Sequence, residues 1–161
     1  MSPLEVRSPQ NQQVKEFIRL AESRRYRRRA GKLALEGPHL IREALAAGIV
    51  PQTVFLTRAF MESRAGGELA DRLPRESRRL LLSDQLFRRM AATESPQGAA
   101  AIVPFRERPL SDLLAGPLSL ALLLDRVQDP GNMGTILRSA AAVEAGAVFY
   151  TPGCADPYGP K

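Results

Sequence analysis

Apolar and polar residues alternate along this chain in short blocks that predict helices and strands in turn. After a turn at residues 8–11, apolar residues recur at the spacing of an amphipathic helix: Val14, Phe17, Ile18 and Ala21. The apolar segments KLALE, TVFL and RLLL predict strands at residues 32–36, 53–56 and 79–82, with helical patterns between them. Alternation of this kind is typical of a small three-layer α/β domain.

Glycine and proline residues mark the ends of the helices between these strands. Gly37-Pro38 starts a helix that ends at Gly48, and its predicted core stripe comprises Leu40, Ile41, Ala44 and Leu45. A polar-faced helix is predicted over residues 59–73, with an interruption at Gly66-Gly67. Both helices follow a predicted strand, so this part of the chain repeats a strand-then-helix order.

The longest apolar run begins a complete strand, turn, helix and strand unit. LSLALLL, at residues 118–124, predicts a strand that is buried on both faces of a parallel sheet. The turn DRVQDPGN ends in Asn132, which we expect to cap a helix over residues 133–145. That helix stops at Gly146, and AVFY restarts a strand. The crossover predicts a right-handed βαβ unit.

Polar residues gather where the first strand of this unit ends. Open α/β sheets bind ligands outside the carboxyl ends of their strands, so Asp125, Gln128 and Asn132 face a candidate crevice. Helical side chains lean toward the N-terminus, so Arg138 is expected to lie back over Gly134, which has no side chain to block it. The guanidinium of Arg138 is therefore predicted to reach the crevice.

The positive charge of the chain is concentrated at its N-terminal end. The net charge is +6, and the first thirty residues hold eight Lys and Arg against three acids. SRRYRRR surrounds Tyr26 with Arg24, Arg25, Arg27, Arg28 and Arg29. Arginine forks pair with phosphate and a tyrosine ring stacks on a base, so these residues, with Lys32, predict an RNA-binding surface. The alternative is a solvated, arginine-rich helix end.

The remaining composition excludes several kinds of site. Cys154 and His39 are the single cysteine and histidine, which excludes an internal disulfide, a cysteine-rich metal cluster and the usual histidine-based zinc sites and triads. We therefore expect no metal and a reducing, cytoplasmic location. No apolar stretch approaches the length of a membrane span, and the N-terminus lacks a signal-peptide core.

The string LDRVQDPGNMGTILRSAAAVEAGA and the tail GCADPYGPK closely resemble the first motif of the SpoU/TrmH branch of the SPOUT RNA methyltransferases. Asn132, Gly134, Arg138 and the tail from Asp156 to Lys161 stand at the relative positions of that motif. TESPQGAAAIV, at residues 93–103, is similar to the segment that leads into the catalytic domain of the family.

This resemblance implies an α/β chain of two domains. Residues 1–105 resemble a small L30e-like, three-layer domain that binds RNA substrate, and residues 106–117 are a linker. Residues 118–161 resemble the start of a SPOUT domain, in which a Rossmann-like parallel sheet is tied into a trefoil knot. The family's glycine-rich Asn-Glu loop and Ser-Leu-Asn segment, which tie the knot and bind S-adenosylmethionine, are not among these 161 residues. The cofactor site is therefore expected beyond residue 161, with this fragment inactive alone.

The function that the resemblance implies is S-adenosylmethionine-dependent 2′-O-ribose methylation of RNA by a homodimer. Ribosomal RNA, and 23S rRNA in particular, is favoured over transfer RNA, because this type of N-terminal domain is commoner on the ribosomal enzymes. The motif arginine corresponds to Arg138, which acts either as an unusual base or as the cation that stabilises the developing alkoxide. Asn132 would orient Arg138 or the target nucleotide, or serve as a plain helix cap.

Two alternatives come from other classes of protein. A non-catalytic, ribosome-associated L30e-like module would need only the basic N-terminal domain. A nucleotide-dependent oxidoreductase is disfavoured, because DPGNMG lacks the glycine spacing that brings a backbone close to a pyrophosphate.

Overall fold

A computed structural model describes residues 3–159 and divides the chain into two compact units, one up to Arg106 and one over Glu107–Gly159. The division falls at the start of the predicted linker. In the described part of the chain, no helix is long and apolar enough to cross a membrane. Among the same residues, no group of three or more His, Cys, Asp or Glu side chains is arranged to hold a metal ion.

The N-terminal unit is built on a five-stranded mixed sheet. Its strands are β1 Leu4–Val6, β2 Lys32–Glu36, β3 Thr53–Thr57, β4 Arg78–Leu82 and β5 Ala99–Pro104. They lie in the order β1-β4-β3-β5-β2. β1, β3 and β4 run parallel, while β5 is antiparallel to both β3 and β2. The helices are α1 Gln12–Glu22, α2 Arg24–Ala30, α3 Pro38–Ala46, α4 Arg58–Met61, α5 Arg64–Arg72 and α6 Asp84–Met90.

Successive residues of β3 point to opposite faces of the sheet and enter two separate cores. Phe55 packs with α1 and α6, and its ring meets the edge of Phe17 at a centroid distance of 5.5 Å. Val54 and Leu56 pack on the other face, in a cluster that includes residues of α3, α4 and α5. Both faces of the sheet are covered by helices, which confirms the predicted three-layer α/β arrangement.

Four features of this unit differ from the sequence-based expectations. The short strand β1 was not predicted, and the helix predicted over residues 59–73 is two helices that separate before Ser63, whose hydroxyl caps α5. Gly66 lies inside α5, where a Cβ would come within 1.9 Å of the Phe60 carbonyl oxygen, so its absence permits close packing rather than a break. Leu40, predicted in the core, is exposed.

The second unit contains α7 Leu110–Leu114 and a βαβ unit, formed by β6 Ala121–Leu124, α8 Pro130–Ala142 and β7 Ala147–Tyr150. β6 and β7 are parallel, with Ala121 opposite Ala147 and Leu124 opposite Tyr150. The predicted strand, turn, helix and strand order is confirmed, and the carboxyl ends of both strands lie at one edge.

Details of this second unit differ from the sequence-based expectations. β6 begins at Ala121 rather than at Leu118, and Leu123 is 71% exposed, because the sheet has only two strands in the described part of the chain. α8 ends before Gly146: the amides of Glu144 and Ala145 donate to the carbonyls of Ala141 and Ala140. Glu144 adopts φ 53° in this closing turn, so a residue other than glycine takes the left-handed position.

Candidate active site and RNA-binding surface

The carboxyl ends of β6 and β7 are tied together by side chains that follow the two strands. The Thr151 hydroxyl donates to Asp125 Oδ1 at 2.6 Å, and the Thr151 amide donates to the Leu124 carbonyl at 3.0 Å. Arg126, the residue after Asp125, adopts φ 51°, and its backbone amide donates to Thr151 Oγ1 at 3.3 Å. The turn after β6 is therefore held at a defined edge of the sheet, where parallel α/β folds place their ligands.

The segment after β7 folds back across this turn. The Ala155 amide donates to the Val127 carbonyl at 2.7 Å, and the Cys154 thiol donates to the Leu124 carbonyl at 3.4 Å. Cys154 is half-buried here, in a structural contact. Two parts of the motif that are separated in sequence by α8 and β7, the turn and the tail, thus lie against each other.

Asp129, rather than Asn132, caps α8. The Asp129 carboxylate accepts from the Asn132 amide at 2.7 Å, and Pro130 occupies the first helical position, where its missing N–H costs no hydrogen bond. The expectation that Asn132 is the cap is therefore wrong. Asn132 lies in the first turn of the helix, where its side-chain amide is exposed and makes no hydrogen bond with the described residues.

Arg138 lies back over Gly134, as the sequence predicts. A Cβ at Gly134 would lie 3.5 Å from Nη1 of Arg138, so a larger residue would crowd the guanidinium. Nη2 donates to Thr135 Oγ1 at 3.2 Å, and the Thr135 hydroxyl donates to the Gly131 carbonyl at 2.9 Å. The guanidinium is exposed, and no carboxylate of residues 3–159 pairs with it. It is positioned toward the start of α8 with hydrogen-bonding capacity to spare.

Asn132 and Arg138 share the first turns of α8 without bonding each other in the described structure. The side chain that holds Arg138 is Thr135, not Asn132. The sequence analysis did not identify Thr135. The Asp-Pro pair at positions 129 and 130 is the sequence signal that could have identified the true cap, since it combines a preferred cap residue with proline at the first helical position.

The arginine run forms a separate short helix rather than the end of α1. The Ser23 amide donates to the Arg19 carbonyl at 3.0 Å and closes α1, while its hydroxyl accepts from the Tyr26 amide at 3.2 Å and starts α2. One arginine of the run is structural. Arg27 is buried, and its Nη1 donates to the carbonyls of Leu20 and Ala21 at 2.6 and 2.9 Å. The guanidinium of Arg27 therefore supplies hydrogen-bond donors to two carbonyl groups at the end of α1. The prediction that Arg27 contacts RNA is corrected accordingly.

The other basic residues of the run are exposed: Arg24, Arg25, Arg28 and Arg29. Tyr26 is half-buried against the core, and the Arg29 guanidinium lies 5.4 Å from its ring centroid, so this ring is not an open stacking platform. Lys32 is also occupied, because its Nζ lies 2.7 Å from Glu16 Oε1 in a half-buried pair. The four exposed arginines, which we call the α2 surface, are the cations that this run presents to solvent.

Family models match both units of the chain. The model for the MRM3-like substrate binding domain matches residues 11–101, and the model for the SpoU rRNA Methylase family matches residues 119–161. The first range lies within the N-terminal unit, and the second contains the whole βαβ unit. The resemblance deduced from the motif in the second unit is confirmed.

Curated relatives match nearly the whole chain. A protein of Synechocystis named as an uncharacterized tRNA/rRNA methyltransferase is 36% identical over 97% of this chain and 56% of its own length. The 23S rRNA (guanosine(2553)-2′-O)-methyltransferase RlmP of Bacillus subtilis is 32% identical over 98% of this chain and 58% of its own. Mouse mitochondrial rRNA methyltransferase 3 is 32% identical over 95% and 37%. The chain thus spans little more than half of the bacterial relatives.

Solved structures agree with the sequence matches. The SpoU methyltransferase AviRb of Streptomyces viridochromogenes, in complex with the cofactor AdoMet, superposes with a TM-score of 0.80 at 26% identity, over 94% of this chain and 57% of that one. An rRNA methyltransferase of Sinorhizobium meliloti gives 0.76 at 27% identity, over 96% and 57%. With its MRM3-like substrate-binding domain and the first SpoU motif, the chain belongs to the SpoU/TrmH family of RNA methyltransferases.

Proposed function

We propose that this chain is part of an S-adenosylmethionine-dependent methyltransferase that modifies the 2′-hydroxyl of a ribose in ribosomal RNA. The observation that carries the proposal is the position of Arg138, a guanidinium without a carboxylate partner, held over Gly134 at the ligand-binding edge of a βαβ unit. Relatives named as rRNA methyltransferases support ribosomal RNA as the substrate. Membership of a methyltransferase family favours an enzyme over a non-catalytic RNA-binding module.

The chemistry requires a positive group beside the reacting hydroxyl. A ribose 2′-hydroxyl is weakly acidic, so negative charge develops on its oxygen as the proton leaves and the methyl group arrives. Arginine stays protonated at neutral pH, and we therefore assign Arg138 the role of a cation that stabilises this developing alkoxide rather than that of a base. Its planar fork can hold the adjacent phosphate at the same time. Thr135 keeps the fork in place before substrate binds.

Asn132 has a separate role in this proposal. Because Asp129 caps the helix, the Asn132 side chain keeps both its donor and its acceptor groups for a ligand. An exposed amide in the first turn of α8 is suited to bind the target nucleotide and fix the ribose relative to Arg138. A nucleotide held in this way reacts faster because its orientation is set in advance.

The described residues at the edge of β6 and β7 would form one wall of a site for S-adenosylmethionine. Ligands of that size are usually buried over most of their surface in a concave site. At the edge of β6 and β7, by contrast, Asp125, Asn132 and Arg138 are all exposed and provide one wall. When bound, the cofactor supplies the methyl group. Residues outside those described here would have to complete its site, and a homodimer of the kind known in the family is part of the same proposal.

The α2 surface is the proposed contact with the RNA backbone. Its four arginines are exposed on one short helix, in a part of the chain that holds most of the positive charge. Backbone contacts of this type are independent of base sequence and weaken as salt is added.

A reducing cytoplasm, predicted from the single cysteine, stays part of the proposal.

The reaction class is tested with the full-length protein that contains this chain. The protein would be incubated with ribosomal RNA and isotopically labelled S-adenosylmethionine, and the label would be located after nuclease digestion. We expect label in a 2′-O-methylated nucleoside that resists alkaline cleavage. Label on a base, or label in transfer RNA but not in ribosomal RNA, would contradict the proposed function.

A further inference from the structure

A cleft of about 580 Å³ opens at the carboxyl edge of the five-stranded sheet, far in sequence from the SpoU motif. β3 and β4 both end at this edge, and β5, which is antiparallel to β3, begins there. One wall is the start of α6, and the other is the loop of residues 94–98 that precedes β5. Its volume lies within the range of small-ligand sites, and its place matches the usual ligand edge of an open α/β sheet.

The loop that forms the second wall is fastened at both ends. The Glu36 carboxylate, at the end of β2, accepts hydrogen bonds from the Ala92 amide at 2.8 Å and from the Thr93 hydroxyl. At the other end, Gly98 adopts φ 75°, and a Cβ there would lie 2.5 Å from Thr57 Oγ1. The Thr57 amide donates to the Gly98 carbonyl at 2.9 Å. The conformation of this loop is therefore fixed by contacts within the N-terminal unit.

Hydrogen-bonding groups line the cleft above an apolar floor. The floor includes the rings of Phe60 and Phe87, both largely buried. Besides three hydroxyl side chains, four charged or amide side chains line the cleft, two from α6 and two from the loop: Asp84, Arg88, Glu94 and Gln97. None of these four side chains has a hydrogen-bond or ion-pair partner within residues 3–159. The cleft thus offers two carboxylates, one guanidinium and one amide to a ligand.

A second, smaller hollow of about 260 Å³ adjoins the cleft and shares Asp84 with it. Its lining includes two arginines, Arg7 and Arg58, and two carboxylates, Glu5 and Asp84, and the Arg7 guanidinium is paired with Glu5 Oε2 at 3.0 Å. The hydrogen bond and the charge of Arg7 hold the pKa of Glu5 below its usual range, and the charge of Arg58 contributes in the same direction. Arg58, which has no hydrogen-bond or ion-pair partner within residues 3–159, is therefore the guanidinium that the hollow offers to the anionic phosphate of a nucleotide whose neutral base enters the cleft.

We propose that the cleft binds one unpaired guanine of the RNA substrate, with a flanking phosphate of the same nucleotide beside Arg58 in the adjoining hollow. This inference rests on the proposed function, because it takes RNA to be the substrate. Guanine presents adjacent N–H donors on its Watson–Crick edge, which a carboxylate of Asp84 or Glu94 accepts as a pair. Its O6 and N7 are acceptors, and Arg88 and Gln97 supply the matching donors.

The other ligands of similar size match the cleft less well. A phosphate group in the cleft itself would face two carboxylates and only one guanidinium. Uracil has a single N–H donor flanked by acceptors, and adenine and cytosine each present one amino group on that edge. Sequence-specific RNA recognition generally uses unstacked bases read on their edges, and a cleft of this volume can hold one base.

Binding of short single-stranded RNA to the 161-residue chain tests the proposal. Four fluorescent oligonucleotides would be compared by anisotropy: oligouridine, and oligouridine with one central G, A or C. We expect the G-containing strand to bind about tenfold more tightly than the others, the discrimination typical of one good bidentate pair with a base. Equal affinity for all four would overturn the guanine site while leaving RNA binding by the chain intact.

Two variants assign the preference to the cleft. Asp84→Asn combined with Glu94→Gln should bring the G-containing strand to the affinity of oligouridine, with oligouridine itself unchanged or slightly tighter. The matched control Asp71→Asn combined with Glu62→Gln removes two exposed carboxylates outside the cleft and should keep the preference. Loss of the preference in the control, or its survival in the cleft variant, would contradict the assignment.

A third variant closes the cleft without removing any charge. Ala59 is exposed at the cleft wall, and Ala59→Trp should fill it and abolish the preference for the G-containing strand. Circular dichroism and the thermal midpoint of unfolding would show that the variant folds like the parent. A folded Ala59→Trp chain that still prefers guanine would overturn the proposal. Failure of every oligonucleotide to bind would instead refute RNA recognition by the chain and, with it, the proposed function.

Discussion

Strands β3 and β6 are both rich in apolar residues but have opposite surroundings. β3 lies between β4 and β5, with helices on both faces of its sheet, and Phe55 is fully buried. β6 is equally apolar but pairs only with β7 in the described part of the chain, and Leu123 is 71% exposed. An apolar run therefore reports that a strand is suited to burial, while the neighbouring strands decide whether burial occurs.

The largest expected difference between the two units is in amide hydrogen exchange of the 161-residue chain. Residues of β3, β4 and β5 should exchange only through global unfolding, which costs about 5–15 kcal/mol in typical domains. Residues of β6 and β7 should exchange through much cheaper local opening, because few apolar contacts hold their sheet. Mass-spectrometric or NMR exchange rates measure this directly. Equal protection of the two sheets would show that β6 and β7 are stabilised by contacts outside this account.

Truncation of one apolar residue in each strand sharpens the same comparison. Phe55→Ala removes a buried ring that meets Phe17, and it should lower the free energy of unfolding by about 3–5 kcal/mol. Leu123→Ala removes a mostly exposed side chain and should change it by less than about 0.5 kcal/mol. Urea unfolding of both variants provides the measurement, and a large loss in Leu123→Ala would mean that this face is covered in solution.

Arg27 and Arg25 belong to the same arginine run, but we expect only Arg27 to contribute to the stability of the fold. Arg27→Gln withdraws a buried, charged donor from the carbonyls of Leu20 and Ala21, and should lower the free energy of unfolding by about 1.5–3 kcal/mol. Arg25→Gln is the matched control on the exposed side of α2 and should leave stability within about 0.5 kcal/mol. Thermal or urea unfolding distinguishes them. Similar stabilities would contradict the structural role of Arg27.

The exposed members of the run should act on RNA affinity instead. Replacing Arg24, Arg25, Arg28 and Arg29 by Gln should weaken RNA binding with little dependence on base sequence. The slope of the logarithm of the binding constant against the logarithm of the salt concentration should become shallower by about 0.7–0.9 for each phosphate that the variant no longer neutralises. Titrations at several salt concentrations give both quantities. If affinity and slope are unchanged, the α2 surface is merely a solvated helix face.

The sequence predicted element order well wherever local signals agreed with the fold. The βαβ unit was predicted because an apolar run, a Pro-Gly turn and an alanine-rich helix stand in succession, and Gly134 correctly predicted the position of Arg138. The part that failed depends on distant residues. Arg27 and Arg25 look alike in sequence, but only Arg27 meets the open carbonyls of α1.

Other failures have the same physical origin. Gly66 was expected to break a helix, whereas it allows that helix to approach the Phe60 carbonyl. The role of Glu36 as a tether for the loop before β5 depends on residues 56 and 57 positions away, and no local pattern indicates it. Long-range contacts of this kind also form the cleft between α6 and the loop of residues 94–98, which local sequence patterns did not indicate.

The central claim, that Arg138 is the cation of the reaction, is tested most directly by single-turnover methylation with the full-length protein. Arg138→Ala should lower the rate by on the order of 10²-fold or more, with RNA and cofactor affinities nearly unchanged. Arg138→Lys should stay severely impaired, because it keeps the charge and loses the planar fork. Arg72→Ala, on the exposed end of α5, is the matched control and should react normally. A near-normal rate for Arg138→Ala would remove Arg138 from the site and contradict the account.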